Sequence, residues 1–121
     1  MFEVSVSAAF EAAHYIDAKG GPDAYRTIHG HSFLVTATAA AEKPDPNGWV
    51  IDLGVFEQAL KDVVGELDHA MLNDVPGLEQ PTFENLLVWI DGKLQAKGVS
   101  ASCLEIERPI LRQRAVYRPA R

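Results

Sequence analysis

Two alternating stretches near the start of the chain constrain its fold more than any other feature. In residues 2–10, FEVSVSAAF, Phe2, Val4 and Val6 alternate with Glu3, Ser5 and Ser7; residues 31–41, HSFLVTATAAA, alternate again. A period of two marks a strand with one buried face. Between them, residues 17–27, DAKGGPDAYRT, carry Gly-Gly-Pro among polar residues and read as a loop. The two strands therefore pair as a long hairpin, which the turn cluster EKPDPNG closes off.

The period then changes. Asp52 stands as an N-cap before Leu53, Phe56, Leu60, Val63, Val64 and Leu67, whose spacing of three and four predicts an amphipathic helix. Residues 68–80 are loop. Pro81-Thr82 opens a second helix with Thr82 as cap, Phe83, Leu86, Leu87, Ile90 and Leu94 as its apolar stripe, and Gly98 at its end. Strands near 101–107 and 111–118 follow, separated by Pro109. The order β-β-α-α-β-β predicts one α+β domain over residues 1–121, an antiparallel sheet with both helices on one face. Four strands leave two open edges, so pairing with further copies of the chain is expected.

Composition narrows the function classes. Residues 1–107 hold six of the 11 Lys and Arg but all 17 Asp and Glu, whereas the last fourteen carry five arginines and no acid. Those arginines alternate with Ile, Leu, Val and Tyr as on a strand surface, and the acidic remainder argues against nucleic-acid binding. No apolar run approaches the roughly 20 residues of a membrane span. Cys103 is the one cysteine, which excludes an internal disulfide and a CxxC metal site. With no basic, apolar leader at the N-terminus, the expected location is the cytoplasm.

Four groups of residues have chemical potential. His29-Gly30-His31 on a strand points both imidazoles to one face, and Gly30 leaves room for close approach of another group. The hairpin brings the end of the first strand, with His14, beside them. Three imidazoles suit zinc and leave a fourth position open. An edge strand with surface histidines is the plainer account of H-x-H alone. Asp68-His69 pairs a carboxylate with an imidazole, although neighbours on an extended chain point apart and His69 also fits as a helix-end residue. Pro81-Thr82-Phe83-Glu84-Asn85 is a helix start whose backbone N–H groups can meet a ligand. Glu105 and Glu107 alternate with Leu104 and Ile106; a pocketed carboxylate of this kind grips an N–H/NH2 edge by two parallel hydrogen bonds.

Taken in order, these stretches resemble the 6-pyruvoyl- and 6-carboxy-tetrahydropterin synthase family. The resemblance rests on Phe10-Glu11-Ala12-Ala13-His14, His29-Gly30-His31-Ser32-Phe33, Gly48-Trp49-Val50-Ile51-Asp52-Leu53, Leu67-Asp68-His69 with Leu72-Asn73, Pro81-Thr82-Phe83-Glu84-Asn85 and Glu107-Arg108-Pro109. It implies a tunnelling fold (T-fold) in which the sheets of several subunits join into a barrel. The assembly would be a homo-oligomer, a trimer or a dimer of trimers, with active sites between subunits. By the same resemblance His14, His29 and His31 are zinc ligands, and His69 backed by Asp68 is the proton-transfer histidine. Glu107, with Glu105 as its rival, anchors the pterin, and Thr82 helps to hold the ring. The family's usual catalytic cysteine lies four residues before the first histidine of HGH, where this chain has Tyr25; the family's Glu-Thr-Pro is Glu107-Arg108-Pro109 here. Tyrosine ionises near pH 10 and is a poor base at neutral pH.

The expected function is therefore that of a zinc enzyme acting on the side chain of a 6-substituted dihydropterin such as 7,8-dihydroneopterin triphosphate. A pterin- or purine-like ligand-binding homologue with little turnover is the alternative.

Overall fold

The computed structural model describes all 121 residues. The two alternating stretches form β1 (Phe2–His14) and β2 (His29–Ala41), paired antiparallel from Phe2 opposite Ala41 to His14 opposite His29. Both strands extend beyond the alternating residues. In Ala12-Ala13-His14 the small residues hide the alternation, and the ladder with β2 carries β1 on to His14. The loop between them contains a single helical turn, α1 (Asp23–Arg26), where a loop alone was expected.

α2 (Leu53–Gly65) starts at Asp52, whose carboxylate accepts from Gly54 N at 2.9 Å and Val55 N at 3.3 Å, which satisfies two amide groups left orphaned at a helix start. Phe56, Leu60, Val63 and Val64 are buried; Leu53, expected in the same stripe, is the first residue of the helix and is 48% exposed. α3 (Phe83–Ala96) starts at Thr82, whose hydroxyl accepts from Asn85 N at 3.2 Å. Gly98 follows its end with φ +78°, a conformation that costs glycine little. β3 (Cys103–Arg108) and β4 (Gln113–Tyr117) close the sheet in the order β1-β2-β3-β4, all antiparallel. β4 begins later than the expected residue 111 because Pro109–Leu111 wind into a 3-10 turn that Arg112 ends at φ +55°.

Burial alternates across most of the sheet, broken in β2 where Thr38 is buried between Ala37 and Ala39. Val6, Phe10 and Ala12 of β1, Phe33, Val35 and Ala37 of β2, and Leu104 and Ile106 of β3 lie on the helix-covered face. Phe10 and Phe33 stack with centroids 4.8 Å apart, and Phe83 of α3 meets Phe33 edge-on at 6.5 Å. The sheet does not close on itself: β1 and β4 are its edges. Residues 68–71 cover part of the β1 edge. Glu11 N donates to Asp68 Oδ1 at 2.9 Å, His69 N to Glu11 O at 2.6 Å, and Ala13 N to Ala70 O at 3.0 Å. The outer edge of β1 from Phe2 to Ala9, on the side away from β2, pairs with no strand of the chain.

Candidate functional site

Register sets the site. His14 lies opposite His29 and Ala12 opposite His31, so the parity that buries Phe10 and Phe33 sends all three imidazoles to the helix side of the sheet. Their ring centroids are 4.7, 5.1 and 4.8 Å apart, and one potential ligand atom from each falls within 4.8 Å of the others. Phe33 forms the floor, 6.1 Å from the His14 ring and 5.7 Å from His31. Gly30 permits no unusually close approach within the chain: a Cβ there would meet only Ala12 O, at 3.7 Å.

Hydrogen bonds orient two of the rings. His14 Nδ1 donates to Pro81 O at 3.2 Å and His29 Nδ1 to Thr27 O at 2.6 Å, which leaves Nε2 as the lone-pair nitrogen on each. His14 is 3% exposed and its Nε2 is buried without a partner. Burial, opposed by the Pro81 bond and reinforced by His29 and Arg108, holds the His14 pKa below the usual imidazole value; burial and then the Arg108 charge hold His31 down to about 4. Three converging imidazoles, one with an orphaned buried nitrogen, are a donor set that fits zinc.

A cavity of about 600 Å³ opens from this cluster, lined by His14, His29 and His31 with Tyr25, Thr82 and Arg108 among its other walls. Tyr25, half exposed on α1, thus borders the three histidines. The Pro81-Thr82 helix start serves twice, since Pro81 orients His14 while Thr82 caps α3. Asn73 acts as a clamp on the chain leaving His14: its side chain accepts from Tyr15 N at 3.0 Å and donates to Tyr15 O at 2.9 Å.

Asp68 and His69 do meet, contrary to the expectation for neighbours on an extended chain. His69 has φ +59°, and that left-handed turn brings its Nδ1 to 3.0 Å from Asp68 Oδ2. The bond from Glu11 N, then that from His69, hold the Asp68 carboxyl below its ordinary range. His69 is largely exposed and makes no hydrogen bond to the other histidines, but it borders a cleft of about 700 Å³ shared with His31, Gly30 and Arg108.

The two acids of β3 lie elsewhere. Glu107 is opposite Leu34 and Glu105 opposite Thr36, on the sheet face turned away from the helices and from the histidines. Glu105 faces Arg114 at 3.5 Å. Within one chain, therefore, neither acid joins the histidine cluster. Arg108, in phase with Leu104 and Ile106, stands with the histidines instead: its Nη1 is 3.2 Å from His31 Nε2, and its guanidinium lies 4.3 Å from the Phe83 ring centroid. The phase was readable in Leu104-Glu105-Ile106-Glu107-Arg108, but the contact depends on the fold. Cys103 lies on β3 outside both cavities, and burial pushes its thiol up, away from the thiolate.

An open antiparallel sheet with paired helices on one face, carrying three converging imidazoles at its β1–β2 end, defines a T-fold protein. The profile of the 6-pyruvoyl tetrahydropterin synthase family matches residues 3–118, and the chain belongs to that family. It is 38% identical over 96 residues to a 6-carboxy-5,6,7,8-tetrahydropterin synthase of Synechocystis, spanning 75% of this chain and 73% of that protein. A dihydroneopterin monophosphate aldolase of Pyrococcus furiosus is 31% identical over 88 residues, 73% of this chain and 70% of its own length. The fold matches the structure of Caenorhabditis elegans 6-pyruvoyl tetrahydropterin synthase with a TM-score of 0.80 at 23% identity, covering 98% and 96% of the two chains. No helix is long and apolar enough to cross a membrane.

Proposed function

We propose that this chain is a zinc-dependent enzyme that acts on the side chain of a 6-substituted dihydropterin, with 7,8-dihydroneopterin triphosphate as the leading substrate, in the cytoplasm. The observation that carries the reading is the convergence of His14, His29 and His31 around a buried, unpartnered His14 Nε2 beside an open cavity. Relatives named as a tetrahydropterin synthase and as a pterin aldolase support the same substrate class.

Zinc held by the three imidazoles would polarise a hydroxyl or carbonyl oxygen of the side chain. Asp68 fixes the His69 tautomer by accepting from Nδ1, so His69 Nε2 is the atom that takes and returns protons. Glu107 anchors the aminopyrimidinone edge by two hydrogen bonds and the Thr82 helix start helps to hold the ring. Because Glu107 and the histidines lie on opposite faces in one chain, the reading goes with a homo-oligomer, a trimer or a dimer of trimers, in which sites form between subunits. The open β1 and β4 edges support that assembly.

Tyr25 at the edge of the histidine cavity, with Cys103 elsewhere, favours a simpler cleavage or isomerisation over the full synthase reaction. The same observation supports a second reading, a pterin-binding protein with little turnover. Metal analysis combined with a product screen on dihydroneopterin triphosphate and sepiapterin tests both. Bound zinc and turnover that His69→Ala removes while pterin binding survives are the expected results; binding without turnover at high protein concentration establishes the second reading, and absence of pterin binding rejects both.

A further inference from the structure

Arg108 is an unusual group to find beside three candidate metal ligands. A guanidinium has no acceptor and does not lose its proton in proteins, so its Nη1–H donates to His31 Nε2. That bond occupies the lone pair of one imidazole in the triad and places a positive charge next to the position of a cation. The charge itself is uncompensated. Arg108 forms no ion pair although Glu11 and Glu84 border the same two cavities, its Nε is buried with no partner, and its other face rests on Phe83. A partly buried guanidinium without a carboxylate is costly unless an anion completes it. Its planar fork matches the oxygens of a phosphate ester or a carboxylate, and it stands in the wall between two cavities large enough for a small ligand.

We propose that Arg108 is the anion-reading residue of this site: it takes up an oxyanion on the ligand's side chain and, in turning to it, releases His31 Nε2 to the metal ion. Metal and anion then bind with positive coupling, each raising the affinity for the other. The proposal rests on the reading of the three histidines as metal ligands and adds a preference for ligands with an anionic side chain.

The test measures zinc affinity by competition with a chromogenic chelator. Wild-type protein is titrated in sodium chloride, in sodium sulfate as a stand-in for a phosphate ester, and in sodium acetate as a carboxylate, all at equal ionic strength. Saturating sulfate or acetate is expected to tighten zinc binding by about tenfold, and the more effective salt identifies the anion. Arg108→Met keeps an apolar stem on Phe83; Arg108→Thr supplies a second, shorter side chain should the first fail to fold. Either is expected to bind zinc more tightly than wild type in chloride and to show no response to the anions. Wild-type zinc affinity that is the same in all three salts overturns the proposal and leaves the metal reading standing, as does an anion response that survives in the variants. Failure of wild type to bind zinc overturns both. An anion response without any pterin turnover upholds Arg108 and counts against the pterin enzyme.

Discussion

His14 donates its Nδ1 proton to the carbonyl oxygen of Pro81, 3.2 Å away and 67 residues further along the chain. The bond ties the end of β1 to the residue before the α3 cap, so the stability of a helix start and the aim of a metal-type imidazole are mechanically linked. Thr82→Ala removes the cap and is expected to cost about 1 kcal/mol of unfolding free energy. Because Pro81 loses its fixed neighbour, zinc affinity should fall as well. Chemical denaturation and chelator competition on the one variant check both; stability lost with zinc affinity unchanged would show that Pro81 is held by other contacts.

The lowered histidines predict how the metal-free protein responds to acid. An imidazole ordinarily titrates near 6.5, while burial, helped by Arg108, holds His31 down to about 4 and holds His14 low in the same direction. Between those values the unfolded chain binds protons that the folded chain does not, so stability falls as pH drops from about 6.5 towards 4 and is level above. His31 keeps solvent contact, so its share is on the order of 1 kcal/mol after allowance for screening. Denaturation midpoints across this range in a metal-free buffer should slope accordingly, and His31→Gln should flatten part of the slope.

His69 holds a left-handed backbone at φ +59°, a conformation that strains a residue other than glycine. His69→Gly relieves that strain and is expected to match or exceed the wild type in stability, by up to about 1 kcal/mol. The same variant removes the imidazole proposed for proton transfer and should abolish turnover. Stability lost together with activity would make His69 a structural residue.

Glu107 and Glu105 share a sheet face but differ in expected role. Glu107→Ala should weaken pterin binding about a hundredfold, the scale of a lost charged, two-bond contact of about 3 kcal/mol. Glu105→Ala loosens only its pairing with the exposed Arg114, worth less than about 1 kcal/mol, and should leave pterin affinity near wild type. Titration with a fluorescent pterin separates them, and a reversed result moves the anchor to Glu105.

Tyr25 is half exposed on a single helical turn, so Tyr25→Cys is expected to fold like wild type. If this position alone limits the chemistry, the variant gains formation of a 6-pyruvoyl or 6-carboxy product from dihydroneopterin triphosphate. An unchanged product profile would place the limit elsewhere, with Arg108 the next residue to exchange.

The sequence by itself determined the elements and their order. Alternation wrote β1 and β2, the caps at Asp52 and Thr82 fixed both long helices, and the spacing of His29 and His31 put two imidazoles on one face, because each of these depends on short-range periodicity or local hydrogen bonding. Register, which follows from which face is buried, then brought in His14. Tertiary structure alone decided the rest. Asp68 reaches His69 because residues 68–71 are pinned to the β1 edge and turn the chain left-handed there, a contact that no local pattern encodes. Whether Glu107 or Arg108 joins the histidines depends on which face of β3 the helices cover, so a cation stands in the metal-type cluster and the acids face away from it. Burial and charge at a site arise from groups distant in sequence, and packing had to bring Pro81, Phe83 and Arg108 together around His14 and His31 before that chemistry existed.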